Sequence, residues 1–153
     1  MIEYIEFGNI FKINGVKNYA HGCNCAGAMG KGIAVQFKDN YPEMYKQYKE
    51  KCKNGVFKLG DVFAYNYGEG YIFNLGTQQT WKTKAELKAI EQSLINMLNI
   101  AIELNIKKIA LPTIGAGLGG LKWQDVKKVI DTIGNMYPSV TLFVIENYQD
   151  TNN

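Results

Sequence analysis

The sequence predicts a three-layer α/β/α fold around a central mixed sheet of about six strands. Short β-branched and aromatic runs alternate with helical stretches, and two glycine-rich segments sit where strands pass into helices. Such alternation buries parallel strands under helices on both faces. Ligands of these sheets lie beyond the carboxyl ends of the strands.

The elements follow in order. Ile2 to Phe7 alternates and reads as a strand that ends at Gly8. Asn18 to Cys23 is a second, short strand. Helical character runs from Gly30 to about Asp39. It breaks before Pro42, since the residue preceding a proline is pushed out of the helical region. It then resumes to about Lys53, where Asn54-Gly55 stops it. Asp61 to Tyr67 and Tyr71 to Leu75 are strands of a hairpin turning at Gly68-Glu69-Gly70. Thr83 reads as the N-cap of the longest helix, Lys84 to Leu104, whose apolar positions recur at helical spacing. Lys108 to Leu111 is a buried strand, Trp123 to Met136 a helix and Thr141 to Ile145 the last strand. Residues 1–150 read as one domain, and Thr151 to Asn153 as a loose tail.

Composition narrows the function classes. The 153 residues suffice for one sizeable core. No apolar run approaches the roughly 18 residues of a membrane span, and the N-terminus lacks the pattern of a signal peptide. Cytoplasmic residence, no membrane partner and a monomer are the expectations. Cys23, Cys25 and Cys52 are odd in number and form no C-x-x-C pair, and His21 is the single histidine. Reduced thiols, no metal site and no cofactor follow. All 17 basic residues are lysines and the net charge is +3. Arginine is the usual bidentate clamp for phosphate. Without it, main-chain N–H groups and helix ends must do most of any phosphate binding. The lysines from Lys46 to Lys58 alternate with tyrosine and glutamate and read as a solvated face rather than a nucleic-acid groove.

The two glycine-rich segments carry the chemistry. His21 to Ala34 holds Gly22, Gly27, Gly30 and Gly32 between a strand and a helix, and Ile109 to Gly120 holds four glycines in its last six residues. Glycine lets the backbone approach an oxyanion closely, and unpaired N–H groups of a first helical turn favour negative charge. Two such junctions suggest a ligand with two phosphates.

An ordered set of motifs covers nearly the whole chain. It runs through Gly8-Asn9-Ile10-Phe11, Asn24 ahead of Met29 to Ala34, Tyr41-Pro42, Leu59-Gly60-Asp61, Asn74 to Thr77, Leu111-Pro112, and Ile114 to Leu121 before Trp123. In this order and spacing it resembles the macrodomain family, which binds ADP-ribose. Within the family it is similar to a subgroup with three roles: ADP-ribose glycohydrolases acting on protein carboxylates, antitoxin macrodomains that strip ADP-ribose from DNA bases, and the yeast-type ADP-ribose phosphatase. His21 to Cys25 favours the last; Met29 to Ala34 and the spacing to Trp81 look more like the antitoxin type.

The resemblance implies a site map. Thr113, Ile114, Gly115, Ala116, Gly117, Leu118 and Gly119 wrap the phosphates. Met29, Gly30, Lys31, Gly32 and Ile33 meet the distal ribose and second phosphate. Asn9, with Ile10, stands where the family places the carboxylate that receives the adenine amino group. Glu146, Asn147 and Tyr148 follow the last strand and line the adenine pocket. Asn24 faces the distal ribose and holds a water near the anomeric carbon. Thr77 and Gln78 lie on the loop that carries the glycohydrolases' lysine, and Gln78 replaces that lysine. Gly119 replaces the aspartate of the protein-directed enzyme. A lysine Schiff-base route is therefore closed at Gln78, which can position water but not take a proton. His21 is the one side chain that ordinarily titrates near neutrality, and it reads equally as an acid–base group or a structural one. The catalytic candidates are Asn24, Gln78 and His21. The expected activity is removal of mono-ADP-ribose from a protein or nucleic acid; ADP-ribose 1″-phosphate hydrolysis and non-catalytic reading of ADP-ribose remain open.

Overall fold

The computed structural model describes residues 1–149; the expected loose tail, Thr151 to Asn153, lies outside them. The sheet contains β1 (Ile2–Gly8), β2 (Tyr19–Asn24), β3 (Val62–Asn66), β4 (Tyr71–Gln78), β5 (Lys108–Leu111) and β6 (Thr141–Tyr148). Their spatial order is β1-β6-β5-β2-β4-β3. All neighbours run parallel except β3 and β4, the expected hairpin.

Helices α1 (Ile33–Asn40) and α2 (Pro42–Lys53) cover one face, and α3 (Leu87–Glu103) and α4 (Trp123–Gly134) the other. Successive side chains of a strand point to opposite faces, so the apolar run Ile72-Phe73 feeds two cores. Phe73 packs with Ile90, Leu94 and Met97 of α3 and Ile130 of α4. Ile72 packs with Phe37 of α1 and with Met44 and Tyr48 of α2.

This layering opens the site. β2 and β5 are neighbours, yet the chain leaves β2 for α1 on one face and leaves β5 for α4 on the other. Connections that diverge from adjacent parallel strands leave a crevice at their carboxyl ends. The direct pairing of β2 with β5 is Tyr19 opposite Ala110, well back from that crevice.

Several boundaries differ from expectation for tertiary reasons. α1 begins at Ile33, not Gly30, because Gly32 has φ 63° and ψ −149°, a conformation that essentially only glycine adopts. α3 begins at Leu87 with Glu86 at its N-cap, not Thr83. The Thr83 hydroxyl instead accepts from Thr80 N at 3.0 Å and closes a turn ahead of the helix. β4 continues through Gly76, Thr77 and Gln78, and β6 through Glu146, Asn147 and Tyr148. These residues stand on strand ends rather than on loops, because pairing with β2 and β1 prolongs the strands beyond their β-branched stretches.

Candidate active site

Two adjoining lobes, of about 410 and 380 Å³, occupy the crevice. They share Gly22, Lys31, Ala34, Gln78 and Leu118 as walls. The first lobe is lined by both glycine-rich segments, through Gly32 and Ile33 and through Thr113 to Ala116 and Gly119, and also by Thr77 and Tyr148. The second is walled by Asn24, Met29, Gly30 and Trp81. Another hollow, of about 460 Å³, lies at the opposite ends of the strands, around Lys17, Asn18 and Gly70.

Both glycine segments present main-chain donors to this crevice. Ile33 and Ala34 open α1, where the N–H groups of the first turn have no intrahelical acceptor. Leu118 stands in the same position in the 3-10 turn Gly117–Gly119. The close approach requires glycine at Gly115: φ is +76°, and a Cβ there would lie 2.4 Å from Ile90 Cδ1 of α3. Among the described residues, no Asp or Glu lines either lobe, and Lys31 is the one charged residue that does. The crevice is therefore suited to an anion.

Asn24 ends β2, and its side chain folds the following loop. Its Oδ1 accepts from Ala26 N at 3.0 Å and Ala28 N at 3.2 Å, while Nδ2 donates to Ala28 O at 2.8 Å. Two amide donors on one atom fix which end is oxygen. One Nδ2 hydrogen remains for a ligand. The Tyr48 hydroxyl of α2 donates to Asn24 O at 2.6 Å. Tyr48 is a site-supporting residue, and no local signal in the sequence ties it to a loop 24 residues away.

Gln78 is held as firmly. Its Nε2 donates to Thr80 O and to Thr83 O, each at 2.9 Å. Both amide hydrogens are thus spent on the loop, and Oε1 is left as an acceptor, 3.7 Å from where a Cβ on Gly119 would stand.

His21 is placed elsewhere. It is 0 % exposed, stacks on Phe37 at 3.9 Å and does not line the crevice. Asn74 Nδ2 donates to Phe63 O, which turns Asn74 Oδ1 toward His21 Nε2 at 2.6 Å, so the proton sits on Nε2. Burial lowers the imidazole to about 4 against the hydrogen bond to Asn74. Of the two roles open to His21, a neutral ring enclosed away from the crevice fits the structural one.

Other candidates scatter. Asn9 is buried and its Oδ1 caps the turn Ile10–Lys12 by accepting from Phe11 N at 2.9 Å; Ile10 is fully buried. Glu146 turns toward α4, where it accepts from Trp123 Nε1 at 2.9 Å and pairs with Lys127 at 3.3 Å. Those partners, the Trp123 hydrogen bond first, hold its carboxyl below the usual range. Asn147 donates to Glu6 O on the neighbouring strand. Gly117 belongs to the 3-10 turn but not to the crevice wall. Asn9, Ile10, Gly117, Glu146 and Asn147 therefore stand outside the crevice lining, whereas Tyr148 joins it and its hydroxyl meets Gln36 of α1. Cys23 and Cys25 are buried, and burial raises both thiols, Cys25 to about 11, so neither is a thiolate nucleophile.

Fold and crevice together define an α/β domain with a crevice between two glycine-rich strand-to-helix junctions. The model of the Macro domain family matches residues 20–130, and the chain belongs to that family. Over 121 residues it is 39% identical to a DNA ADP-ribosyl glycohydrolase of Mycobacterium tuberculosis, covering 76% of this chain and 34% of that protein. A DNA ADP-ribosyl glycohydrolase of Thermus aquaticus is 33% identical over 150 residues, covering 95% and 41%. The chain thus spans well under half the length of these relatives. The solved macrodomain of Mycobacterium tuberculosis DarG superimposes with a TM-score of 0.88 at 34% identity, covering 95% of this chain and 97% of that one.

Proposed function

We propose that the chain binds ADP-ribose in this crevice and hydrolyses the bond that joins mono-ADP-ribose to a macromolecule, with DNA as the first substrate to test. The carrying observation is the convergence of two main-chain donor segments on a crevice that no carboxylate lines among the described residues, in a chain without arginine. In this reading Gly115, Ala116, Leu118 and Gly119 form a phosphate-binding loop opposite Gly32 and Ile33. The adenosine end lies toward Tyr148 and the distal ribose toward Asn24. The names of the two glycohydrolase relatives support DNA over protein. The free thiols support a reducing, cytoplasmic setting.

Hydrolysis needs a water at the anomeric carbon and stabilisation of the positive charge that develops as the glycosidic bond lengthens. The spare Nδ2 hydrogen of Asn24 and the acceptor Oε1 of Gln78 both border the distal lobe and are fixed by their other hydrogen bonds. Held between them, a water is oriented without loss of freedom in the transition state. The substrate's own diphosphate, pinned by loop amides, supplies the negative charge and relays the proton that water releases to the departing acceptor atom, which leaves with the electron pair of the broken bond. The bond to the macromolecule breaks as the water oxygen bonds to the anomeric carbon.

Gln78 also favours a second reading, a non-catalytic reader, because its amide is neutral and has no hydrogen left to donate. Calorimetry with ADP-ribose, followed by release assays on ADP-ribosylated single-stranded DNA and protein, tests both. Binding with release supports the hydrolase, and binding without release on any linkage supports the reader. Absence of binding removes both. Phosphate release from ADP-ribose 1″-phosphate is not expected, since His21 is enclosed in the core.

A further inference from the structure

The two tryptophans are treated differently by the fold. Trp123 is anchored by Glu146 and lies edge-on to Tyr4. Trp81 is 61% exposed and forms no ring pair among the described residues, yet it walls the same lobe as Asn24 and Gln78. An indole in water contributes little to folding, and its place in the lobe wall leaves it able to meet a ligand there.

Trp81 is also held in place. Thr80 N donates to Thr83 Oγ1 at 3.0 Å, Lys82 N donates to Thr80 Oγ1 at 3.2 Å, and Gln78 Nε2 ties Thr80 O and Thr83 O. These bonds fold the backbone on either side of Trp81 into a closed turn. Lys82 Nζ lies 4.9 Å from the ring centroid. Lys84 runs along the second glycine loop, with its Cγ 3.2 Å from where a Cβ on Gly120 would stand, and Lys31 lines the crevice. An aromatic plate beside Lys82, in a lobe that Lys31 lines and that no carboxylate lines among the described residues, matches single-stranded nucleic acid: a π-face for a base and positive charge for its phosphodiester.

We propose that Trp81 is the platform on which the nucleobase carrying the ADP-ribosyl group stacks. The acceptor end of the crevice is thereby built for single-stranded nucleic acid rather than for a protein side chain. This rests on ADP-ribose occupying the crevice as described above.

The test compares the full chain with its Trp81→Ala and Trp81→Phe variants. Each is titrated, in competition with labelled ADP-ribose, with three ligands: ADP-ribose, a single-stranded oligodeoxynucleotide carrying one ADP-ribosyl group on a base, and a peptide carrying one ADP-ribosyl group. Loss of one base–aromatic stack weakens binding by roughly five- to a hundredfold. Trp81→Ala is expected to weaken the oligonucleotide by about that factor while ADP-ribose and peptide stay within about twofold of the parent. Trp81→Phe, which keeps a π-face, is expected to retain most of the affinity. An unchanged oligonucleotide affinity in Trp81→Ala overturns the proposal. So does an equal loss for ADP-ribose or the peptide. In either case, parental binding of ADP-ribose leaves the reading of the crevice standing; a parent that binds no ADP-ribose overturns both.

Discussion

The Tyr48 hydroxyl lies 2.6 Å from the main-chain oxygen of Asn24 and 3.0 Å from its Oδ1. A helix on one face of the sheet thereby braces the residue that ends β2, just where the crevice opens. The hydroxyl is buried, and burial raises its pKa, so it stays a proton donor. Tyr48→Phe leaves the ring in the core but strips the brace. The expected cost is about 1–2 kcal/mol of stability, visible as a lower Tm. ADP-ribosyl release should fall more than ADP-ribose affinity, because the loosened group is Asn24.

Gln78 offers a sharper test, because its amide points two hydrogens at two carbonyl oxygens. Gln78→Glu keeps the shape and replaces those donors with acceptors. Repulsion should open the Thr80 to Thr83 turn at a cost of about 1–3 kcal/mol and abolish release. Thermal melts together with a release assay check it. A variant as stable and active as the parent would show that these two hydrogen bonds hold neither the turn nor the catalytic geometry.

Leu118 tests the proposed phosphate loop without disturbing the core, since its side chain is 69% exposed. It borders both lobes, and a Cβ on Gly32 would lie 3.2 Å from its Cδ1, so it reaches across the crevice. Leu118→Glu is expected to leave Tm unchanged and to weaken ADP-ribose about tenfold or more at low salt, with partial recovery as salt screens the carboxylate. Calorimetry at two ionic strengths measures this.

His21 makes stability depend on pH. Its folded-state pKa, about 4, lies below the ordinary 6.5. Above pH 6.5 the ring is neutral in both states and costs nothing. As pH falls from 6.5 toward 4, the unfolded chain takes a proton that the folded one refuses, and stability drops. The loss is on the order of 3 kcal/mol and is complete below the folded pKa. Denaturant titrations between pH 7 and 4 should show that part of the slope disappear in His21→Gln.

Glu146→Ala should remove the anchor of Trp123 and Lys127 and cost about 1 kcal/mol of stability. Its carboxylate faces α4, so ADP-ribose affinity should not change. A calorimetric loss of binding would instead return Glu146 to the ligand.

Much of this protein can be read from local pattern alone. Hydrophobic periodicity and turn residues mark every strand and helix of the fold, because burial on one or both faces leaves a repeat of two or of about 3.6 in the chain. The glycine clusters mark both walls of the crevice, because a backbone that must take positive φ or approach another closely tolerates little else. What one sequence cannot encode locally is which partner a side chain finds. Sheet order and packing decided that His21 stacks on Phe37, that Glu146 turns to α4 and Tyr148 to α1, and that Tyr48 braces Asn24. Those outcomes rest on contacts between residues distant in the chain, where direction and desolvation, rather than residue type, assign the role.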